Sequence, residues 1–125
     1  VSRTYRLLHL IDHLGLGGAQ EALLSLLKYF DRRRFQVEVA ALHGQGHYWE
    51  SCRRLGVPRH SLSPHKYLPL YLPRLCRLLQ NGTFDLIHCH LTPSNLIGKP
   101  LAAILGVPLI FNYDHNDMYR ARQRL

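Results

Sequence analysis

Residues 6–30 run Arg6-Leu-Leu-His-Leu-Ile-Asp12, then His13-Leu-Gly15-Leu-Gly17-Gly18, then a helical pattern from Ala19 to Phe30. An apolar run feeding a glycine loop and then a helix is the start of a βαβ unit. Glycine lets the backbone pass close to a ligand, and the helix start behind it offers unpaired N–H groups and a positive dipole end, so the loop reads as an anion site. It is not the dinucleotide fingerprint. Gly15 and Gly17 fit G-x-G, but Gln20 stands at the third glycine position, and the second apolar run ends Ala40-Ala41-Leu42-His43 without the acid that would hold a ribose. There is no G-x-x-x-x-G-K-[ST] loop either, so neither NAD nor FAD is expected.

The same alternation continues along the chain. Strands are expected at Arg6–Asp12, Phe35–Leu42, Arg59–Leu62, Leu86–His90 and Leu109–Tyr113. Helices are expected at Ala19–Phe30, at His47–Leu55 before Gly56 and Pro58, from Pro73 to Asn81-Gly82, and from Thr92-Pro93 to Gly106. Glu21, Ser25 and Lys28 form the polar stripe of the first helix and leave it a wide apolar face. Tyr48, Trp49, Cys52 and Leu55 share one side of the second. Near-continuous apolar strands separated by helices imply an α/β Rossmann-like fold, a parallel sheet with helices on both faces and strand order 3-2-1-4-5. Ligands then bind beyond the carboxyl ends of the strands, where the winding reverses, and 12–20, 90–95 and 113–117 converge there.

With 125 residues and 46% hydrophobic content the chain is one globular domain. Sixteen Lys/Arg against eight Asp/Glu give a net charge of +8, which favours anionic partners. The basic residues are dispersed and form no recognised nucleic-acid module, so nucleic acid is not expected. Cys52, Cys76 and Cys89 lack C-x-x-C spacing and read as reduced thiols of a cytoplasmic protein. Asn81-Gly82-Thr83 reads as a helix stop rather than a glycosylation site. The chain opens on Val1 and closes in the polar stretch Arg120–Leu125, which reads as a piece of a longer protein.

Three further stretches carry chemistry. His88-Cys89-His90 puts two imidazoles on one strand face with His115 able to approach, a metal-capable spacing. No carboxylate completes it, and the reading is a packed His88, a His90 at the cleft edge and no metal. Asp114-His115-Asn116-Asp117 follows the fifth strand. A histidine there suits proton transfer or a sugar hydroxyl, and an Asp/Asn turn explains the residues equally well. In Lys66–Leu79, Leu68, Leu72, Leu75 and Leu79 serve the core, while Tyr67, Leu70, Tyr71, Arg74 and Arg77 leave an aromatic and basic outer surface. That surface suits an anionic membrane face, or else is an ordinary solvated helix cover.

Taken together, His9-Leu-Ile-Asp-His-Leu-Gly-Leu-Gly-Gly-Ala-Gln-Glu21, Phe84-Asp-Leu-Ile-His-Cys-His90, Asn95-Leu-Ile-Gly98, Leu105-Gly-Val-Pro108 and His115-Asn116 resemble the N-terminal domain of family 4 glycosyltransferases of the GT-B fold. The motifs span about residues 6–117 in the family's order. The resemblance implies a retaining enzyme that moves a sugar from a nucleotide-sugar donor to a hydroxyl acceptor on a lipid or saccharide, with no tightly bound cofactor. It places Gly17, Gly18 and Ala19 at the donor diphosphate and makes His115 the catalytic group at the donor sugar or acceptor. His90 and Asn95 then line the acceptor groove, and Asn116 joins the substrate-binding residues. A C-terminal domain carrying the nucleotide pocket is expected beyond this sequence, without which the fragment is inactive. A cytoplasmic location, peripheral at the inner membrane face, goes with this reading. The alternatives are a non-catalytic phosphate- or nucleotide-binding Rossmann-like module and a degenerate interaction domain.

Overall fold

The computed structural model describes residues 4–64, 71–90 and 92–113. They form β1 (Tyr5–Ile11), α1 (Gly18–Tyr29), β2 (Phe35–Ala41), α2 (Trp49–Arg54), β3 (Arg59–Ser61), α3 (Tyr71–Gly82), β4 (Leu86–His90), α4 (Thr92–Ile104) and β5 (Leu109–Tyr113). The sheet order is β3-β2-β1-β4-β5, and every neighbouring pair is parallel. Both the order and the alternation expected from the sequence are present.

β1 is the centre. Its side chains alternate between two cores, and from Leu8 to Ile11 every one is buried. Leu8 and Leu10 join Ala40, Leu42, Ile87 and Cys89 under Leu75 and Leu79 of α3 and Ala102 of α4. Ile11 faces the other way, with Val37, Val39 and Ala41, beneath Leu23 and Leu27 of α1 and Cys52 of α2. Each fully buried aliphatic side chain contributes about 1.5–3 kcal/mol of transfer free energy. That is why an all-parallel sheet needs helices on both faces. At the amino end of the strands, Arg6 ties three of them together. Its guanidinium pairs with Glu38 at 2.5 Å, and Glu38 also holds His60 at 2.8 Å. The Arg6 N–H donates to the Asp85 carboxylate at 2.9 Å, while the Asp85 N–H donates back to the Arg6 carbonyl at 2.8 Å.

The packing of α3 departs from the sequence reading. On α3 the buried stripe is Leu75 and Leu79 with Tyr71 and Leu78 packed beside it, and Leu72 is exposed. From Leu75, a core neighbour is available at i−3 or at i−4, and the helix uses Tyr71 rather than Leu72. Tyr71 therefore leaves the outer surface, and Arg74 donates to the Leu62 carbonyl at 3.3 Å. Tyr67, Leu68 and Leu70 lie outside the described residues. At the end of α3, the left-handed residue is Thr83 (φ 51°). Gly82 is needed for a different reason, because a Cβ there would run into the Phe84 ring. On α4, exposed Pro100 sits inside the helix without ending it; Gly98 and Ala102, both buried, keep the helix seated on the sheet.

Gly98 sets how closely α4 approaches. A Cβ at this position would fall 2.5 Å from Leu10 Cδ2 and 2.9 Å from Cys89 Sγ, and both neighbours are fully buried. Gly98→Val is expected to lower the unfolding free energy by about 1–3 kcal/mol, the usual cost of overpacking a filled core. Urea denaturation of the purified variant measures it. An unchanged midpoint would mean that α4 stands further from β1 and β4.

Candidate functional site

At β1 the winding reverses: the chain leaves β1 for β2 on one side, and β4 lies on the other. Such a reversal is where α/β sheets bind ligands. The loop at this reversal is His13–Gly17. Gly17 precedes α1 in an extended conformation and gives it no side-chain cap. The Glu21 N–H closes the first turn on the Gly17 carbonyl at 3.0 Å. A Cβ built on Gly18 would meet nothing within 4 Å, so this residue opens onto free space. Ala19, next along, is buried. Gly17 and Gly18 thus present exposed backbone without side chains at the start of α1, the arrangement that accepts phosphate oxygens.

Gln20, the departure from the dinucleotide fingerprint, has a structural task. It is 3% exposed, and its amide donates to the His13 carbonyl at 3.1 Å. The His13 Nδ1 in turn accepts the Gly15 N–H at 3.0 Å. Because the side chain of Gln20 fills the space beside Gly17, where a Cβ would collide with it, Gly17 has to be bare. A second glycine, Gly46 (φ 69°), backs directly onto the Leu14–Gly15 backbone, and the Tyr48 N–H donates to the Leu14 carbonyl at 2.7 Å. The loop shape is therefore fixed from inside by Gln20 and from behind by residues 46–48. Gly46 was not legible as part of the site. Its role depends on β2 lying parallel beside β1, which brings the loop after β2 up against the loop after β1.

The other expected site residues fall as follows. His115 and Asn116 lie outside the described residues. Asn95 lies in the first turns of α4, at the same end of the sheet as the glycine loop; its side chain is outside the described residues. His90, expected at the cleft edge, is 3% exposed, and its Nε2 sits 3.0 Å from His9 Nδ1. The half-exposed ring is His88, so the exposure of the pair is the reverse of that expected. His9 and His88 are register partners on β1 and β4. Residues 9, 88 and 90 share the sheet face that carries α1, and there they line an open groove of about 850 Å³ with Ala22, Leu26 and Tyr29 of α1. The wide apolar face of α1 explains the groove: Leu23 and Leu27 are buried, while Leu26 and Tyr29 stand out over β1 and β4.

Burial sets the protonation of this cluster. Desolvation, with a smaller contribution from His88, pushes the His9 pKa down to about 3, and desolvation also lowers that of His88. Both rings are neutral at physiological pH. Burial also raises the thiols, Cys52 upward and Cys89 to about 12, so neither is a reactive thiolate at neutral pH. All three cysteines are free. Among the described residues no helix is long and apolar enough to cross a membrane.

A family model described as a glycosyl transferase 4-like domain matches residues 17–125. The match begins at the bare glycine of the loop and covers most of the chain, so the protein belongs to the glycosyl transferase 4-like family. No curated protein and no solved structure matches it.

The lowered His9 pKa has a direct consequence for stability. In the unfolded chain His9 protonates near pH 6.5, whereas in the fold it resists protonation down to about pH 3. The unfolded state therefore binds more protons across that window, and stability falls as the pH drops through it. Between pH 7 and pH 5 in metal-free buffer, a loss of roughly 1–2 kcal/mol is expected from this one group. Denaturation at the two pH values measures it, and His9→Asn should remove that part of the slope. A His9→Asn variant with the full slope would place the acid sensitivity elsewhere.

Proposed function

We propose that this chain is the N-terminal, acceptor-side domain of a retaining GT-B glycosyltransferase that moves a sugar from a nucleotide-sugar donor to a hydroxyl acceptor. The observation that carries the proposal is the bare glycine backbone at the start of α1 at the winding reversal, within a chain of the glycosyl transferase 4-like family. In this reading the backbone at Gly17, Gly18 and Ala19 meets the donor diphosphate. The N–H groups and dipole of α1 stabilise the negative charge that grows on the phosphate as the sugar departs. Such groups are effective because they are fixed in advance: Gln20 and His13 hold the loop before any ligand arrives.

The remaining roles follow from the family resemblance. Asn95 borders the acceptor groove, and Asn116 is a further substrate-binding residue. His115, two residues beyond β5 in the sequence, acts at the donor sugar or the acceptor hydroxyl. Holding the two substrates in line contributes about 7–11 kcal/mol of barrier reduction, and one wall of a cleft cannot do that alone. A second domain supplies the opposite wall and the nucleotide pocket. The net charge of +8 fits an acceptor carried on an anionic surface, with the protein peripheral at the cytoplasmic face of the membrane.

Two variants of the full-length enzyme test the proposal. Gly18→Leu adds a side chain into open space, so the fold should tolerate it, yet it stands where the diphosphate must approach. The expected result is a KM for the nucleotide-sugar raised at least about tenfold, a loss of roughly 1.4 kcal/mol of binding, with an unchanged unfolding midpoint. His115→Ala is expected to lower turnover by about a hundredfold or more, the scale for a positioned catalytic group. Steady-state kinetics with radiolabelled donor measure both. Wild-type kinetics in Gly18→Leu would remove the glycine loop from the donor site, and sugar transfer by residues 1–125 alone would refute the two-domain account.

A further inference from the structure

We propose that His9, His88 and His90 form a three-imidazole site for a divalent transition-metal ion of the zinc or cobalt class. Each offers one ring nitrogen, and the three nitrogens lie within 4.8 Å of one another. Two independent constraints bring them together. The i, i+2 spacing on β4 puts His88 and His90 on one face of the strand. The β1–β4 register then sets His9 directly beside His88 and next to His90. Ring centroids are 5.3 Å apart for His9 and His88, 5.2 Å for His9 and His90, and 4.1 Å for His88 and His90.

The geometry is close to that of a bound ion. Nitrogen ligands at about 2.0–2.1 Å from a tetrahedral zinc stand about 3.3 Å from each other. His9 Nδ1 and His90 Nε2 are already 3.0 Å apart, and the His88 nitrogen lies within 4.8 Å of both. In the apo protein a single proton lies between these two nitrogens. Binding requires both to be bare, which a neutral imidazole achieves by carrying its proton on the other ring nitrogen, with no net proton released. Among the described residues the donor set is all imidazole, with no carboxylate in the cluster. This favours zinc, cobalt, nickel or copper over magnesium or calcium, which take oxygen ligands. The fourth position faces the groove lined by Leu7, Leu26 and Tyr29. Water or a ligand entering the groove can occupy it, the open arrangement of three protein ligands and one exchangeable one.

The site lies against the α1 face of the sheet rather than at the Gly17–Ala19 backbone, so it does not depend on the sugar-transfer reading. Cobalt(II) alone serves as the probe, added to the full-length protein purified without a histidine tag. The expected result is one equivalent bound with the intense visible bands of a tetrahedral cobalt, displaced by one equivalent of zinc. His88→Ala, at a half-exposed position that the fold should tolerate, is expected to weaken binding at least about a hundredfold, since even outer-shell changes cost 10–100-fold. His47→Ala, an exposed histidine outside the cluster, should leave binding unchanged. Only the pale spectrum of six-coordinate cobalt, or equal binding by wild type and His88→Ala, would overturn the proposal. Because His9 and His90 are buried, their variants are read by circular dichroism first, and a folded His90→Gln that binds cobalt as wild type does would equally refute it.

Discussion

The whole architecture depends on the double pairing of β1. It is hydrogen-bonded in parallel to β2 along its full length and to β4 from Leu7 to Ile11, with every side chain from Leu8 to Ile11 buried. A parallel strand cannot reach its neighbour by a hairpin and needs a covering helix to return. Because β2 follows on one side of β1 and β4 returns on the other, the winding reverses at β1, the point where α/β sheets bind ligands. Everything that matters chemically is set by that constraint. The glycine loop sits at that reversal. β4 is held in the register that joins His9 to His88, and α1 packs Leu23 and Leu27 against β1 and β2 while Leu26 and Tyr29 line the groove beside the histidines.

Tightness follows from the same geometry. Because α4 must sit against β1 and β4, the chain uses Gly98 where the helix meets Leu10 and Cys89. Because the loops after β1 and β2 rise side by side, Gly46 adopts a positive φ against the backbone of Leu14. Gln20 stands where a dinucleotide-binding fold has its third glycine. A glycine there lets helix and strand pack closely, whereas the glutamine uses that space to fasten the loop to His13. The loop is thus preorganised by side-chain hydrogen bonds rather than by its glycines alone, and preorganised backbone donors are the more effective kind for a developing negative charge.

Most of the fold was legible because its signals are local. Apolar runs of strand length, glycine and proline punctuation and helical spacing each act within a few residues, and they yield the nine elements and the sheet order. Helix phase was legible only in part. Leu75 and Leu79 fix the buried stripe of α3 but leave Leu72 and Tyr71 as competing neighbours, and the choice belongs to tertiary packing. The histidines illustrate the same limit. From β4 alone, His88 and His90 are a pair wanting a third ligand, and the sequence suggests His115 or a missing carboxylate. His9 becomes visible once β1 and β4 are aligned by their shared pattern, Leu8 and Leu10 against Ile87 and Cys89. The reversal in exposure of His88 and His90 comes from α1, which leaves His88 facing the groove.

The central claim is that the first turn of α1 receives the phosphates of a nucleotide donor, and the backbone amides there report on it directly. The most direct measurement is the amide proton and nitrogen shifts of Gly17, Gly18 and Ala19 in the full-length protein during titration with a nucleoside diphosphate, compared with the nucleoside alone. The account predicts large saturable shifts at these three residues with the diphosphate and little change with the nucleoside. Amides that stay unmoved while the nucleotide binds elsewhere would contradict it.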